Sequence, residues 1–83
     1  MDYFNPKARD FWASLYNYEF FNGTSRLFHI WIDMNEPSVF SGPEITMPKN
    51  LRHTVADKSS KTKTVLHRDV HNAYGLFMSR ATY

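Results

Sequence analysis

The chain has 83 residues, no cysteine and a formal net charge of +2. At that length it would bury only about 60–65% of its unfolded surface, so independent stability is marginal, and without cysteine it has neither disulfides nor thiolate metal sites. The weak positive charge gives no reason to expect nucleic acid as a partner, and the apolar runs are far too short for a membrane-spanning helix.

A hydrophobic share of 42% and an aromatic share of 17% are too rich for a disordered segment. Two Trp, five Tyr and seven Phe are more large side chains than so few residues can bury, which points to a piece of a larger core. Residues 1–20 lack the charged start and continuous apolar stretch of a signal peptide, so any secretory signal is expected outside this chain.

The first element reads as a helix over about 6–18. Asn5 is a good N-cap and Pro6 takes the first helical position. Ala8, Phe11, Trp12, Leu15 and Tyr16 follow at helical spacing as one apolar stripe. Asn22-Gly23 then breaks the element. Asn22-Gly23-Thr24 is also an N-glycosylation sequon, meaningful only in a chain that enters the secretory pathway.

Residues 27–33 read as a strand. The run is nearly all apolar, as suits a strand buried on both faces of a parallel sheet. His29 interrupts it and is read as a core histidine. A long loop over about 34–68 follows. Pro37, Gly42-Pro43 and Pro48 punctuate its first part, and Lys, Ser and Thr dominate its second. Loops of this length are usually functional or disordered. The expectation is a functional part near the strand end, at Glu36–Met47, and a mobile, solvated insertion near 54–65. The last element reads as a helix over about 70–83, capped by Asp69, with Val70, Ala73, Tyr74, Phe77 and Ala81 on its apolar face.

Helix, strand, long loop and helix make an α/β order. It is the natural repeat of a (β/α)8 TIM barrel, of which the chain would be a fragment; a doubly wound sheet would also fit the order, but no Gly-rich phosphate loop follows the strand, which counts against its phosphate-binding versions.

The chemistry concentrates at Trp31-Ile32-Asp33-Met34-Asn35-Glu36-Pro37. A carboxylate at the carboxyl end of a buried strand is how barrel enzymes present an acid to substrate. Glycosidases need two carboxyl groups, about 5–5.5 Å apart for retention and about 6.5–9.5 Å apart for inversion. Asp33 and Glu36 are near enough in sequence to be such a pair, and the alternative is a structural cap on loop amides. Trp31 and Phe40 flank the acids as aromatics suited to the C–H faces of sugars, or as ordinary core.

Other readings of the same residues fail. Asp33 and Asn35 match the first and third positions of a calcium loop and Glu44 the last, but Ser38 stands where that loop needs glycine. His67-Arg68-Asp69 opens like a kinase catalytic loop, yet Tyr74 replaces the required Asn. His67 and His71 have the spacing of a zinc helix without its Glu or a third ligand, so no metal is expected, and helix capping and loop anchoring are their readings. No cofactor is implied.

The Trp31–Pro37 run resembles the nucleophile signature of glycoside hydrolase family 31, the α-glucosidase family with a (β/α)8 barrel. The segment Asn5-Pro6 with Arg9-Asp10-Phe11-Trp12, the run Ser38-Val39-Phe40, Gly42-Pro43-Glu44-Ile45-Thr46-Met47 and His67-Arg68-Asp69-Val70-His71-Asn72 extend the likeness to the family's glucosidase II branch. The resemblance implies Asp33 as catalytic nucleophile and Glu36 as its hydrogen-bonding support. It also implies Trp31, Met34 and Phe40 at the substrate, with Phe40 on the aglycone side. It further implies retaining cleavage of terminal α-linked glucose from oligosaccharides or N-glycans in the endoplasmic reticulum lumen, beside a regulatory β subunit. The family's acid/base is an Asp in a Gly-Asp-Asn segment that these 83 residues do not contain, so the isolated chain is expected to be inactive. Ile32 departs from the Asn of the glucosidase II branch, and 51–66 is longer and more basic than expected. The competing expectation is a carbohydrate- or protein-binding module without catalysis.

Overall fold

A computed structural model describes residues 1–57, 59 and 61–83. The elements are α1 (Pro6–Ser14), β1 (Arg52–Ala56), β2 (Thr62–Leu66), α2 (His67–Val70), a 3-10 turn (His71–Ala73) and α3 (Tyr74–Thr82).

Helix α1 starts as its sequence dictates. Asn5 Oδ1 accepts from the Lys7 amide at 3.0 Å, and Pro6 stands where no amide is needed. It stops at Ser14, short of the expected 18, and turns carry the chain through 15–20. None of its residues is fully buried, and Phe11 of the expected stripe is exposed. Trp12 makes the main anchor. Its Nε1 donates to Thr82 Oγ1 of α3 at 3.0 Å, and its ring meets Tyr3 edge-on at 5.4 Å.

Residues 27–33 form no strand here. A strand buried on both faces needs a hydrogen-bonded neighbour along its edges, and among the described residues none pairs with this stretch. Leu27, Phe28, Ile30 and Trp31 are instead exposed, and so is His29.

The only sheet among the described residues lies where a loop and a mobile insertion were expected. β1 and β2 pair antiparallel, with Arg52 opposite Leu66 and Ala56 opposite Thr62. Thr54, Val55, Thr62, Thr64 and Val65 supply the β-branched side chains that suit a pleated surface. Asp57 builds the connection: its Oδ1 accepts from the Ser59 amide at 2.8 Å, the Ser59 hydroxyl at 2.7 Å and the Lys61 amide at 3.1 Å. Those bonds, the Ser59 hydroxyl first, hold its carboxyl below the usual range. The Lys/Ser/Thr composition hid a hairpin whose turn is closed by one aspartate. Lys58 and Ser60 of that basic run lie outside the described residues.

The second helical region begins earlier than expected and without the expected cap. Leu66 is the N-cap of α2, and Asp69 sits inside its first turn. α3 does present the expected face: Tyr74 and Ala81 are buried, with Val70, Ala73 and Phe77 packed around them. Tyr3 and Phe4 complete this core from the N-terminal segment. Arg9 ties that segment down by donating to the carbonyls of Tyr3 and Phe4, both at 2.9 Å, while its guanidinium lies 5.2 Å from the centroid of the Phe77 ring.

Candidate active site

The candidate residues lie on one turn that docks against α3. Asp33 Oδ1 accepts from the Met34 amide at 2.8 Å, which leaves Oδ2 open among the described residues. Met34 has φ of 59°, the left-handed region that costs an L-residue roughly 1–2 kcal/mol. An unbranched side chain tolerates this better than a β-branched one. The Met34 carbonyl then accepts from the Ser38 amide at 3.1 Å, closing the reversal.

Glu36 and Asp33 are both exposed, and no hydrogen bond joins them among the described residues. Glu36 Oε2 accepts from the Ser38 hydroxyl at 2.9 Å instead. Pro37, which follows Glu36 through a cis peptide, is buried. Its carbonyl accepts from Thr46 Oγ1 at 2.8 Å, and Val39 N–H donates to the Ile45 carbonyl at 2.9 Å. With the Ser38–Thr46 bridge, these bonds draw 38–46 into a closed loop. Phe40 projects from it, 76% exposed; Trp31 is 87% exposed and Met34 is exposed. The turn thus holds Asp33, Met34 and Glu36, while Trp31 precedes it in the chain and Phe40 belongs to the closed loop that follows.

Gly75 of α3 explains how the turn is held. A Cβ built on Gly75 would stand 3.0 Å from the Asn35 carbonyl oxygen and 3.1 Å from Asn35 Nδ2. Only glycine lets the helix approach so closely. The sequence reading did not single out Gly75. A helical glycine is unfavourable unless something needs the space, and that was its one available signal.

Sequence reading also missed a chain of polar side chains, buried at its centre, that runs from the N-terminal segment through β1 to α2. Asp2 Oδ1 meets His53 Nδ1, His53 Nε2 meets His67 Nδ1, and His67 Nε2 meets His71 Nδ1, each at 2.8 Å. Asp2 Oδ2 also accepts from the Thr54 amide at 2.9 Å. His53 and His67 are buried, 3% and 0% exposed. Neither His67 nor His71 is the N-cap of a helix, since Leu66 and Ala73 hold those positions in α2 and α3 and carry no side-chain cap bond, and His71 is the C-cap residue of α2. Both anchor the loop through a network whose other half, Asp2 and His53, is distant in sequence. These imidazoles run in series, and no group of three His or acidic residues converges on a metal site among the described residues.

Burial, then the neighbouring His53 and His71, push the His67 pKa below its ordinary 6.5. The unfolded chain therefore binds a proton that folded His67 refuses. Its contribution to stability is complete above pH 6.5 and is lost as the pH falls below that value. The thermal midpoint is accordingly expected to drop between about pH 7.5 and about pH 5.5; a midpoint that is flat or rises over that interval contradicts this assignment.

The profile of the glycosyl hydrolases family 31 TIM-barrel domain matches residues 1–83. The chain belongs to glycoside hydrolase family 31. Similar family 31 proteins include the probable glucan 1,3-alpha-glucosidase of Oryza sativa subsp. japonica, 44% identical over 81 residues, and the neutral alpha-glucosidase AB of Homo sapiens, 43% identical over 81 residues. Each alignment covers 98% of this chain and 8% of the relative. The crystal structure of the ER glucosidase II complex of catalytic subunit and regulatory-subunit binding domain superposes with a TM-score of 0.82 at 48% identity. The alpha3-Glc2-bound glucosidase II alpha subunit gives 0.82 at 47% identity. Both cover 100% of this chain and 8% of the other. The segment is therefore a part of a family 31 TIM barrel, similar throughout to glucosidase II catalytic chains, and the doubly wound alternative falls away.

Proposed function

We propose that this segment carries the nucleophile of a retaining α-glucosidase, with Asp33 as that nucleophile. The observation that carries the reading is the Asp33–Met34 turn: one carboxylate oxygen is held by the next amide, the other is open, and the backbone reverses immediately after it. Asp33 Oδ2 attacks the anomeric carbon of a terminal α-linked glucose. The glycosidic C–O bond breaks, and the leaving oxygen takes a proton from an acid contributed by another part of the full-length barrel. Water then opens the glycosyl ester and restores the carboxylate, with net retention.

Glu36 is a supporting residue, kept from the anomeric carbon by its bond to the Ser38 hydroxyl. Trp31 and Met34 contact the glucose, and Phe40 the aglycone side. The exposed Leu27, Phe28 and Ile30, which precede the glucose-contacting Trp31, call for cover by neighbouring strands of that barrel. The substrates are glucose-terminated oligosaccharides or N-glycans. The place of action is the endoplasmic reticulum lumen, beside a regulatory β subunit like that of the heterodimeric neighbour.

Assay of an aryl α-glucoside separates this reading from a non-catalytic module. The full-length chain carrying the segment is expected to hydrolyse it and to release α-glucose first. The purified 83-residue chain is expected to release none. Release of β-glucose first, or turnover by the 83-residue chain alone, contradicts the reading. Passage through the lumen is tested at the exposed turn of Asn22: glycosidase-sensitive mass there supports it, and an unmodified Asn22 in a chain found outside the secretory pathway opposes it.

A further inference from the structure

The Asp2–His53–His67–His71 chain links the N-terminal segment, β1, α2 and the 3-10 turn that leads into α3. A carboxylate only accepts, so Asp2 fixes the His53 proton on Nδ1. Neutral His53 then offers Nε2 as an acceptor, His67 donates from Nδ1, and His71 donates from Nδ1 to His67 Nε2. Every link holds one proton, and among the described residues His71 Nε2 is left as the open acceptor of the network. His67 and His71 line a cavity of about 190 Å³ with Thr46, Met47, Lys49 and Arg68.

One further proton fits at His71 Nε2 without breaking a bond. If the protons in the two inner links hop toward Asp2, the charge moves to His53, where it forms an ion pair with Asp2. A second proton has no vacant position: it would put two protons into one 2.8 Å link and open it. We propose that these four residues form a one-proton relay that ties the hairpin to α2 and the turn leading into α3, the helix against which the nucleophile turn rests. In the relay His71 takes up the proton, and the Asp2–His53 pair stores its charge.

The surrounding charges fit that direction. Asp2 stands at the inner end, and Lys49 and Arg68 lie beside His67 and His71 at the cavity, favouring charge away from themselves. Asp69 borders the outer side of His71. The Tyr74 ring packs on His53 and His67, with centroids 6.4 and 6.2 Å away. Burial and then Asp2 raise its pKa, so it stays a neutral phenol throughout. The connection to the turn runs through α3, whose Gly75 abuts Asn35. His53, His67 and His71 are therefore positioning residues.

The test uses the full-length chain with isotope-labelled histidines in this segment, followed by NMR as pH falls from about 8 to about 5. The wild type is expected to show one proton shared by His53, His67 and His71, with a common midpoint. In His71→Asn the amide still donates to His67 but cannot accept the added proton, so His53 and His67 are expected to take up none before the segment opens. Asp2→Asn removes the stored ion pair and is expected to move the common midpoint to lower pH; it serves equally if His71→Asn does not fold. Three separate midpoints with a full proton each, or variants that titrate as the wild type does, overturn the relay.

The link to catalysis rests on the α-glucosidase reading, whereas the titration does not. If the reading holds, the acid limb of kcat/KM begins at higher pH in His71→Asn than in the wild type. An acid limb that coincides in the two chains refutes the positioning role, and an inactive wild type with the shared titration refutes the glucosidase reading alone.

Discussion

Asp33→Asn in the full-length chain is expected to lower kcat/KM for an aryl α-glucoside by at least about 10,000-fold, or about 5.5 kcal/mol of transition-state stabilisation. An amide is a poor nucleophile and cannot neutralise an oxocarbenium-like centre. It does keep an oxygen for the Met34 amide, so the turn at φ 59° survives and the loss reports chemistry instead of misfolding. Glu36→Gln is the internal control. Gln retains an acceptor for Ser38, so its loss is expected to be far smaller. Equal losses from the two substitutions would make Glu36 a direct participant and remove the distinction drawn between the acids.

Gly75→Ala carries the second large effect. The added methyl would meet the Asn35 carbonyl oxygen at 3.0 Å, and that atom is backbone, unable to rotate away. Either α3 or the turn must move. Overpacking of this kind typically costs about 1–3 kcal/mol. A displacement of the Asp33 turn approaching 1 Å costs up to about 100-fold in rate if that turn carries the nucleophile. The expected signature is therefore a kcat that falls by about 10- to 100-fold with KM little changed, together with a lower thermal midpoint. Unchanged kcat with lowered stability alone would mean that the turn does not rely on α3.

The parts legible in the sequence were those fixed by neighbours in the chain. Asn5-Pro6 declared the start of α1, and the spacing from Val70 to Ala81 declared the face that meets the core. The dense run from Trp31 to Pro37 marked the family. What escaped depends on residues far apart. The hairpin was masked because Thr and Lys read as solvated loop, while its turn hangs on the hydrogen bonds of Asp57. A strand at 27–33 requires partners that an apolar pattern can only imply. The histidine network joins Asp2 to His53 across 51 positions, and local spacing exposes only its His67–His71 half. Gly75 is interpretable only once Asn35 is seen against it.

Covalent trapping tests the central claim most directly. An activated fluoroglucoside with α configuration forms the glycosyl ester quickly and slows its hydrolysis, so the labelled full-length chain can be digested and sequenced by mass spectrometry. The sugar is expected on Asp33, in the peptide that contains Trp31 to Pro37, and the label is expected to vanish in Asp33→Asn. A sugar found on Glu36 or on a carboxylate outside this segment, or turnover with no trapped ester at all, would contradict the assignment of Asp33 as the nucleophile.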